Sequence, residues 1–466
     1  MYQVDWKGVK RGQTPFFRPR HVNAAKKSGL TPFHWPRVTR NVWALGLTSF
    51  FTDFSSEMVT AVLPVYLVAY RGFSFAAFGA IDGLHQGVTA LVRWLGGALA
   101  DRSRRYAEVA GLGYALSAIC KLGWLVSGTT LGSAALLVGL DRVGKGIRTA
   151  PRDALISLST SRSSMGRAFG VHRGLDAAGA MLGPLAAFVI LALAPYRFDA
   201  VFILSFGVGI IGVGVLLGFV TNVSQSESER SERRGGGAPA PLNKVSERRG
   251  AAKKSHPAPL REDDAREGSN SFRDAADLVR DPHFRRIILA GSALALVTMS
   301  DPFVYLALQQ QAGFAPQVVP LLFVVTSLAY LMLAVPVGYL ADRIGGGLVF
   351  LGGHLVLLAA YATLLTPGLG SFAMWMCPAL LGTYYAATDG VLPAMASLHV
   401  AGRFRGSGLA VLGTATSLCR LIASLALGWI WTSFTRETAV FTFMVGLAAV
   451  IVPVGLVLAK FSRHKP

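Results

Sequence analysis

Long apolar stretches recur along the whole chain, and they limit its possible folds more than any other feature. A helix needs about 20 apolar residues to cross the roughly 30 Å hydrocarbon core of a bilayer. Hydrophobic residues make up 52% of the 466 residues and charged residues 15%, whereas soluble proteins carry about 25% charge. The sequence therefore predicts an all-α integral membrane protein. Its twelve predicted spans are 42–68, 75–100, 107–126, 131–158, 167–193, 200–221, 287–309, 316–340, 348–365, 372–398, 406–431 and 438–461.

Basic residues predict the orientation of the chain. The formal net charge is +20. The excess lies in residues 1–40, in residues 222–286 and in the connections after the second, eighth and tenth spans, whereas the connections after odd-numbered spans carry few basic residues. Lysine and arginine concentrate on the cytoplasmic side of membrane proteins. We expect a multi-pass protein of the cell inner membrane with both termini in the cytoplasm, and the charge requires no nucleic acid partner.

The polar segments divide the chain into five predicted parts. Residues 1–40 are a basic cytoplasmic arm, and residues 41–221 form a first half with six spans. Residues 222–286 are rich in Ser, Gly and charge, which predicts a flexible cytoplasmic linker with a surface helix at its end. The second half, 287–461, holds six more spans and precedes a cytoplasmic tail at 462–466. The three cysteines lie in apolar runs, which predicts free thiols.

An internal repeat links the two halves. The segment GALADR at 97–102 recurs as GYLADR at 338–343. A second pair of similar segments, 148–170 and 388–410, has nearly the same separation. Two landmarks with one separation predict a duplicated six-helix unit. Many transporters consist of such pseudo-symmetric halves, with the binding site between them near the bilayer midplane.

These motifs resemble those of the major facilitator superfamily. GALADR, followed by basic residues, is similar to the signature between its second and third spans. RVGKG at 142–146 is similar to its fourth-span pattern, with Lys145 in place of the usual Gln. GAMLGP at 179–184 is similar to its fifth-span antiporter motif, although Ala187 and Phe188 replace the usual closing Gly-Gly.

Further segments narrow this resemblance to a prokaryotic, efflux-type branch of the superfamily. They are SFFTD at 49–53, residues 144–153, GRAFG at 166–170 and TDGV at 388–391. The resemblance implies the twelve-helix fold of the superfamily and transport by alternating access, and it specifies no substrate.

The fourth predicted span contains a charged stretch. At 100° per residue its six ionisable residues fall within an arc of about 140°, and apolar residues occupy the opposite side. Ionisable residues inside a membrane usually mark a substrate or ion path. This face is therefore predicted to line a protein interior or a water-filled cavity. The six residues are Asp141, Arg142, Lys145, Arg148, Arg152 and Asp153.

Acidic residues in the first half are candidates for proton binding. Asp53 and Glu57 are four residues apart, so they share a helix face. Neighbouring carboxylates in a low dielectric can exchange a proton, but each could equally neutralise a basic partner on the fourth or fifth span. Asp82 and His85 are spaced to meet on the second span. The predicted proton or charge-coupling residues are Asp53, Glu57, Asp82, Asp141 and Asp176.

Two further sets of residues complete the predicted site. Substrate contact or charge pairing is assigned to Arg142, Lys145, Arg148, Arg173, Asp301 and Asp389. The second half has few charges, so we expect it to supply mainly apolar contacts. The family resemblance implies that a cytoplasmic gate latches the two halves together. Its residues are Asp101, Arg102, Asp342 and Arg343.

The preferred functional prediction is proton-coupled export of a small organic molecule, as by an antiporter. The alternatives are uptake of an organic anion or metal chelate, and a non-transporting membrane sensor or scaffold. No nucleotide-binding loop, metal-ligand spacing or nucleophile–base pattern stands out in the sequence. We therefore expect no enzymatic activity, no cofactor and no metal. The expected partners are a small-molecule substrate, protons and the lipid bilayer, and the expected state is a monomer.

Overall fold

The computed structural model describes residues 38–103, 105–126, 130–160, 164–222, 280–400 and 405–462. At 90, 93–103, 405–406 and 459–462 only the backbone is described. All regular structure within these residues is helical. The helices are α1 (Arg40–Pro64, continued by a π-helical turn Val65–Tyr70), α2 (Phe75–Ser103), α3 (Tyr106–Val126), α4 (Leu131–Leu158), α5 (Met165–Leu193), α6 (Phe198–Phe219), α7 (Pro282–Leu296), α8 (Asp301–Ala312), α9 (Val319–Ile344, after a 3-10 turn Pro316–Val318), α10 (Gly346–Leu365), α11 (Gly370–Thr388), α12 (Val391–Leu398), α13 (Arg405–Ser433) and α14 (Arg436–Ser462).

These helices form twelve spans, which confirms the predicted all-α membrane fold. α7 and α8 together make the seventh span, and α11 and α12 make the tenth. Within the described residues, eight stretches are long and apolar enough to cross a membrane by length and composition. α1, α2, α4 and the interrupted tenth span are not among them. Ionisable residues such as Asp53, Asp82 and Arg148 lower the mean hydropathy of the first three.

Two spans are interrupted, although the sequence prediction gives each as a single stretch. In the seventh span α7 ends at Leu296, and α8 begins at Asp301. Pro302 in the first turn of α8 has no N–H to donate, so it suits a helix start. The tenth span breaks at Asp389 and Gly390. Breaks at membrane depth expose backbone groups, and transporters place them at binding sites.

The seventh span also begins earlier than predicted. α7 starts at Pro282, within the segment predicted as a linker. The Asp281 carboxylate caps the helix, because it accepts hydrogen bonds from the backbone N–H groups of His283 (2.8 Å) and Phe284 (2.7 Å). The end of the predicted surface helix therefore belongs to the seventh span. Residues 1–37 and 223–279 lie outside the described residues, so the predicted arm and flexible linker remain predictions.

The apolar cores show how the two halves meet. One cluster of buried side chains draws on both halves and includes Phe78, Phe303 and Trp431. A second cluster contains only residues of the first half, from α1 and α3–α6. A third contains only residues of α7, α12, α13 and the connection between the last two. Among the described residues, the ring contacts of the shared cluster that join the two halves lie toward the predicted outer side. In the second half this cluster also reaches Val349, Phe350 and Leu458, near the predicted cytoplasmic ends of α10 and α14. The two separate clusters lie toward the predicted cytoplasmic side.

Aromatic rings seal the predicted outer side. Phe75 at the start of α2 stacks on Trp431 near the end of α13, with ring centroids 4.3 Å apart. Phe78 packs edge-on against Phe303 of α8 at 5.0 Å. Offset and edge-on pairs of this kind add stability beyond their buried area. These contacts join the two halves at this side.

Candidate transport cleft

The charged face of α4 turns inward because α4 packs closely on α3. A Cβ added at Gly144 would lie only 2.6 Å from the carbonyl oxygen of Gly113. Only glycine permits this backbone approach, and the approach fixes the rotation of α4. The guanidinium-bearing side chains of Arg142, Arg148 and Arg152 are 6%, 2% and 7% exposed. The face predicted from the sequence therefore lines the interior of the first half.

Asp141 is the centre of a first charge cluster. It accepts hydrogen bonds from the Ser117 hydroxyl and from the neighbouring Arg142 guanidinium, and the Lys121 ammonium lies 3.4 Å away. Lys121 is 3% exposed, and its ammonium also donates to the Ser56 hydroxyl at 3.3 Å. The lysine thus lies inside the bundle.

A second contact joins α4 to α1. The Arg148 guanidinium lies 3.2 Å from the Asp53 carboxylate, and it stacks over the Tyr114 ring, 4.7 Å from the ring centroid. Two guanidinium nitrogens of Arg148, Nε and Nη1, are buried without a hydrogen-bond partner among the described residues. Breaking a buried pair of this kind leaves one charge uncompensated. The structure thus places Asp53 in an ion pair with α4, and its role in proton binding remains a prediction.

A third group joins α4 to α5. Arg152 donates to the Asp153 carboxylate at 3.0 and 2.9 Å, and to the Ser49 hydroxyl at 3.2 Å. It also lies 3.8 Å from the Asp176 carboxylate, which is shared with Arg173 at the same distance. Arg173 and Asp176 therefore meet on one face of α5, as their spacing indicates.

Two charged residues of the first half have no contact partner among the described residues. Lys145 and Glu57 make no hydrogen bond and no ion pair, and both are partly exposed. Lys145 is near enough to Glu57 and Asp53 to interact with both electrostatically. These two side chains can therefore meet a solute without first breaking a contact.

The second half contributes a smaller polar group at the interrupted spans. The Tyr385 hydroxyl donates to the Asp301 carboxylate at 2.6 Å, and Asp389 is exposed at the break in the tenth span. Arg420 of α13 faces both carboxylates but forms no hydrogen bond or ion pair with a described residue, and its Nε is buried. The candidate set from the sequence omits Arg420, because one arginine in an apolar run has no spacing pattern around it.

Two contacts are not evident from the sequence. Arg142 contacts Asp141 of its own helix. The Asp82 carboxylate accepts a 2.6 Å hydrogen bond from the Ser424 hydroxyl of α13, and His85 Nε2 is buried without a hydrogen-bond partner among the described residues. In both cases the rotation of neighbouring helices decides the partner, and sequence spacing does not report it.

The gate residues lie at the predicted cytoplasmic side. The side chains of Asp101 and Arg102 at the end of α2 lie outside the described residues. Asp342 and Arg343 at the end of α9 are exposed, and neither forms a hydrogen bond or ion pair with another described residue. Their latching role remains a prediction.

Two six-helix halves that surround a cleft lined with charge define a class of protein, the membrane transporter with two pseudo-symmetric halves. Comparison with known families agrees. The family model described as Major Facilitator Superfamily matches residues 45–424 and again 286–466. The chain belongs to this superfamily.

A relative described as an MFS-type transporter agrees with this assignment, and a second relative matches part of the chain. An uncharacterised MFS-type transporter of Methanocaldococcus jannaschii is 28% identical over 429 residues, which are 90% of this chain and 94% of that protein. An uncharacterised protein of Mycobacterium tuberculosis is 35% identical over 127 residues, 27% of this chain and 31% of that protein.

The solved structures show the fold alone, because their identities are low. The nucleoside transporter NupG has a TM-score of 0.67 and 13% identity, covering 90% of this chain and 99% of its own. A bacterial homologue of the human lysosomal transporter Spinster, solved inward-facing and unoccupied, has a TM-score of 0.58 and 16% identity, covering 90% and 94%.

Proposed function

We propose that this protein is a secondary transporter that couples proton movement to the export of a small organic molecule by alternating access. The arrangement of the two halves carries this proposal. They pack against each other at the predicted outer side through the Phe75–Trp431 and Phe78–Phe303 ring pairs. Ionisable side chains line the interior of the first half. With the predicted orientation, these contacts support an inward-facing state.

Proton coupling and direction have separate support. The cleft contains carboxylates that no described cation contacts, among them Glu57 and Asp389, and such groups can bind and release protons. The resemblance to an efflux-type branch favours export. The substrate then enters from the cytoplasm, and a proton moves in the opposite direction.

A single residue favours the second candidate, uptake of an organic anion. The Lys145 ammonium is partly exposed and lacks a contact partner among the described residues. An anionic group could bind it without displacing an internal carboxylate. The direction of movement in vesicles separates the two candidates.

The experiment is transport in inside-out vesicles with an imposed pH gradient. The probes are a panel of fluorescent cationic, neutral and anionic organic compounds. We expect at least one compound to accumulate only when the vesicle interior is acidic, and the movement to disappear when an ionophore collapses the gradient. Vesicles from cells without the protein are the control. If no compound moves faster than in the control, or if the rate of movement does not depend on the pH gradient, the proposal fails.

A further inference from the structure

A cavity of about 20 Å³ lies inside the first half, between α1, α2, α3 and α4. A polar space of this size holds one water molecule or one ion of similar size. Apolar side chains, among them Trp124, and one buried thiol form part of its wall. The other wall residues are Ser56, Thr60, His85, Lys121, Asp141 and Arg142.

The wall of this cavity carries more positive than negative charge. Lys121 and Arg142 are both buried, and Asp141 is the one acid among the wall residues. The Lys121 ammonium lies 3.4 Å from one oxygen of this carboxylate, and the Arg142 guanidinium contacts the other oxygen. Buried charges are usually balanced by a partner, but one carboxylate balances only one of the two cations. With His85 neutral, two cations and one acid leave one positive charge on the wall.

The nearest charges outside the wall balance each other. Glu57 follows Ser56 along α1, but it does not line the cavity. Lys145 is the cation that acts most strongly on Glu57, and both side chains are partly exposed. This second pair therefore leaves the excess charge of the wall in place.

Several hydrogen-bond donors of the wall have no acceptor among the described residues. One oxygen of the Asp141 carboxylate accepts from Lys121, and the other accepts from Arg142. Arg142 donates to it through Nε and Nη2, which leaves Nη1 without a described acceptor. The Ser56 hydroxyl accepts from Lys121 at 3.3 Å, so its own hydrogen is available, and His85 Nε2 is buried without a described partner. An occupant that only accepts hydrogen bonds therefore suits this wall better than water, whose two hydrogens need acceptors of their own.

We propose that this cavity binds one monatomic halide ion, such as chloride or bromide. The ion balances the excess positive charge of the wall and accepts hydrogen bonds from the free donors of Ser56, His85 and Arg142. Hydrogen bonds in which one partner is charged are stronger than neutral ones. The volume of the cavity excludes larger, polyatomic anions. Every wall residue belongs to the first half, so the site does not depend on the contact between the halves or on the proposed transport function.

One wall residue supplies a direct signal for the bound ion. Trp124 lines the cavity and is 4% exposed. Its ring packs edge-on against Tyr66, with centroids 5.9 Å apart, and stacks on Phe202 at 6.0 Å. These neighbours separate the indole from water at the predicted outer side, whereas an ion in the cavity lies beside it. Because bromide quenches indole fluorescence on contact, Trp124 reports whether the cavity is occupied.

The test is a titration of the full chain in lipid nanodiscs with sodium bromide. Sodium gluconate keeps the ionic strength constant, because gluconate is too large for the cavity. The midpoint of thermal unfolding and the tryptophan fluorescence are recorded at each concentration. A ligand that binds only the folded protein stabilises it, so we expect the midpoint to rise and the fluorescence to fall with one saturable dependence on bromide. Trp124→Phe should retain the rise of the midpoint and lose the saturable fall in fluorescence.

Lys121→Gln should weaken bromide binding by at least about tenfold, because it removes the charge that the ion balances. Asp141 keeps Arg142 as a partner in this variant. The matched control is Lys145→Gln, which removes the same charge from a side chain that does not line the cavity. Lys145 is partly exposed, so solvent screens its charge, and the affinity should change by less than about twofold. If Lys121→Gln fails to insert, Ser56→Ala removes one donor and should weaken binding by at least about threefold.

Equal unfolding midpoints in bromide and in gluconate would overturn the inference and assign the cavity to water. An equal loss of affinity in Lys121→Gln and Lys145→Gln would show a general effect of charge in place of this site. A saturable fall in fluorescence that persists in Trp124→Phe would place the bound ion elsewhere. None of these results depends on the vesicle assay, so failure of the halide site and failure of the transport function are distinguishable.

Discussion

A single added methyl group at the contact between α2 and α13 should shift the protein toward the outward-open state. A Cβ on Gly428 would lie 3.0 Å from the Cα of Gly79 and would press on the carbonyl oxygen of Phe75. This clash exists only while the outer side is closed. Overpacking of a tight contact costs about 1–3 kcal/mol, which corresponds to a change of about 5- to 150-fold in the ratio of closed to open protein.

The assay for Gly428→Ala uses spin labels on cysteines that replace Val126 and Phe372, exposed residues near the outer ends of α3 and α11, in protein whose native cysteines are replaced by alanine. The distribution of distances between the two labels in lipid nanodiscs gives the ratio of closed to open protein. The matched control is Gly413→Ala in the same helix, where a Cβ would meet no described atom within 4 Å. Both substitutions gain about 1 kcal/mol of helix propensity. The difference between the open populations of the two variants therefore reports the clash at Gly428 alone. Equal open populations in the two variants would refute the idea that glycine contact holds the outer side closed.

Three more predictions follow from the contacts of the charged helix and the aromatic seal. Arg148→Met should lower the free energy of unfolding by about 3 kcal/mol, because it leaves the Asp53 carboxylate without its cation, and the double variant with Asp53→Asn should recover most of this loss in thermal denaturation. Arg142→Ala should lower the free energy of unfolding by less than half as much, because Asp141 retains a lysine and a serine partner. An equal loss in thermal denaturation would contradict the assigned pairing. Trp431→Ala should raise the open population at least about twofold in the spin-label experiment, because it removes a stacked ring pair, and no change would show that the ring stack does not hold the seal.

The sequence predicted α4 well. Its predicted bounds, 131–158, agree with the helix observed from Leu131 to Leu158. Apolar periodicity gives the face of such a helix, and Thr130 with Ser133 forms a capping box at its start. These signals are local, so they are readable from a single chain.

The partners of the charged residues were not predictable in the same way. Arg142 and Arg148 lie less than two turns apart on one face, and either could meet an acid on α1. Only the packing of the helices shows that Arg148 forms the ion pair with Asp53. The contact between Asp82 and Ser424 joins residues from opposite halves, and no spacing rule connects them.

The central claim is that the two halves move against each other around the charged cleft, and paired distances on both sides test it most directly. The outer pair is Val126 and Phe372. The inner pair is Arg167 at the start of α5 and Ile344 at the end of α9, both exposed. Both distances are measured in nanodiscs from mildly acidic to mildly alkaline pH. The inner distance should shorten as the outer distance lengthens. If both distances change in the same direction, or if one changes while the other stays fixed, the alternating-access account is contradicted.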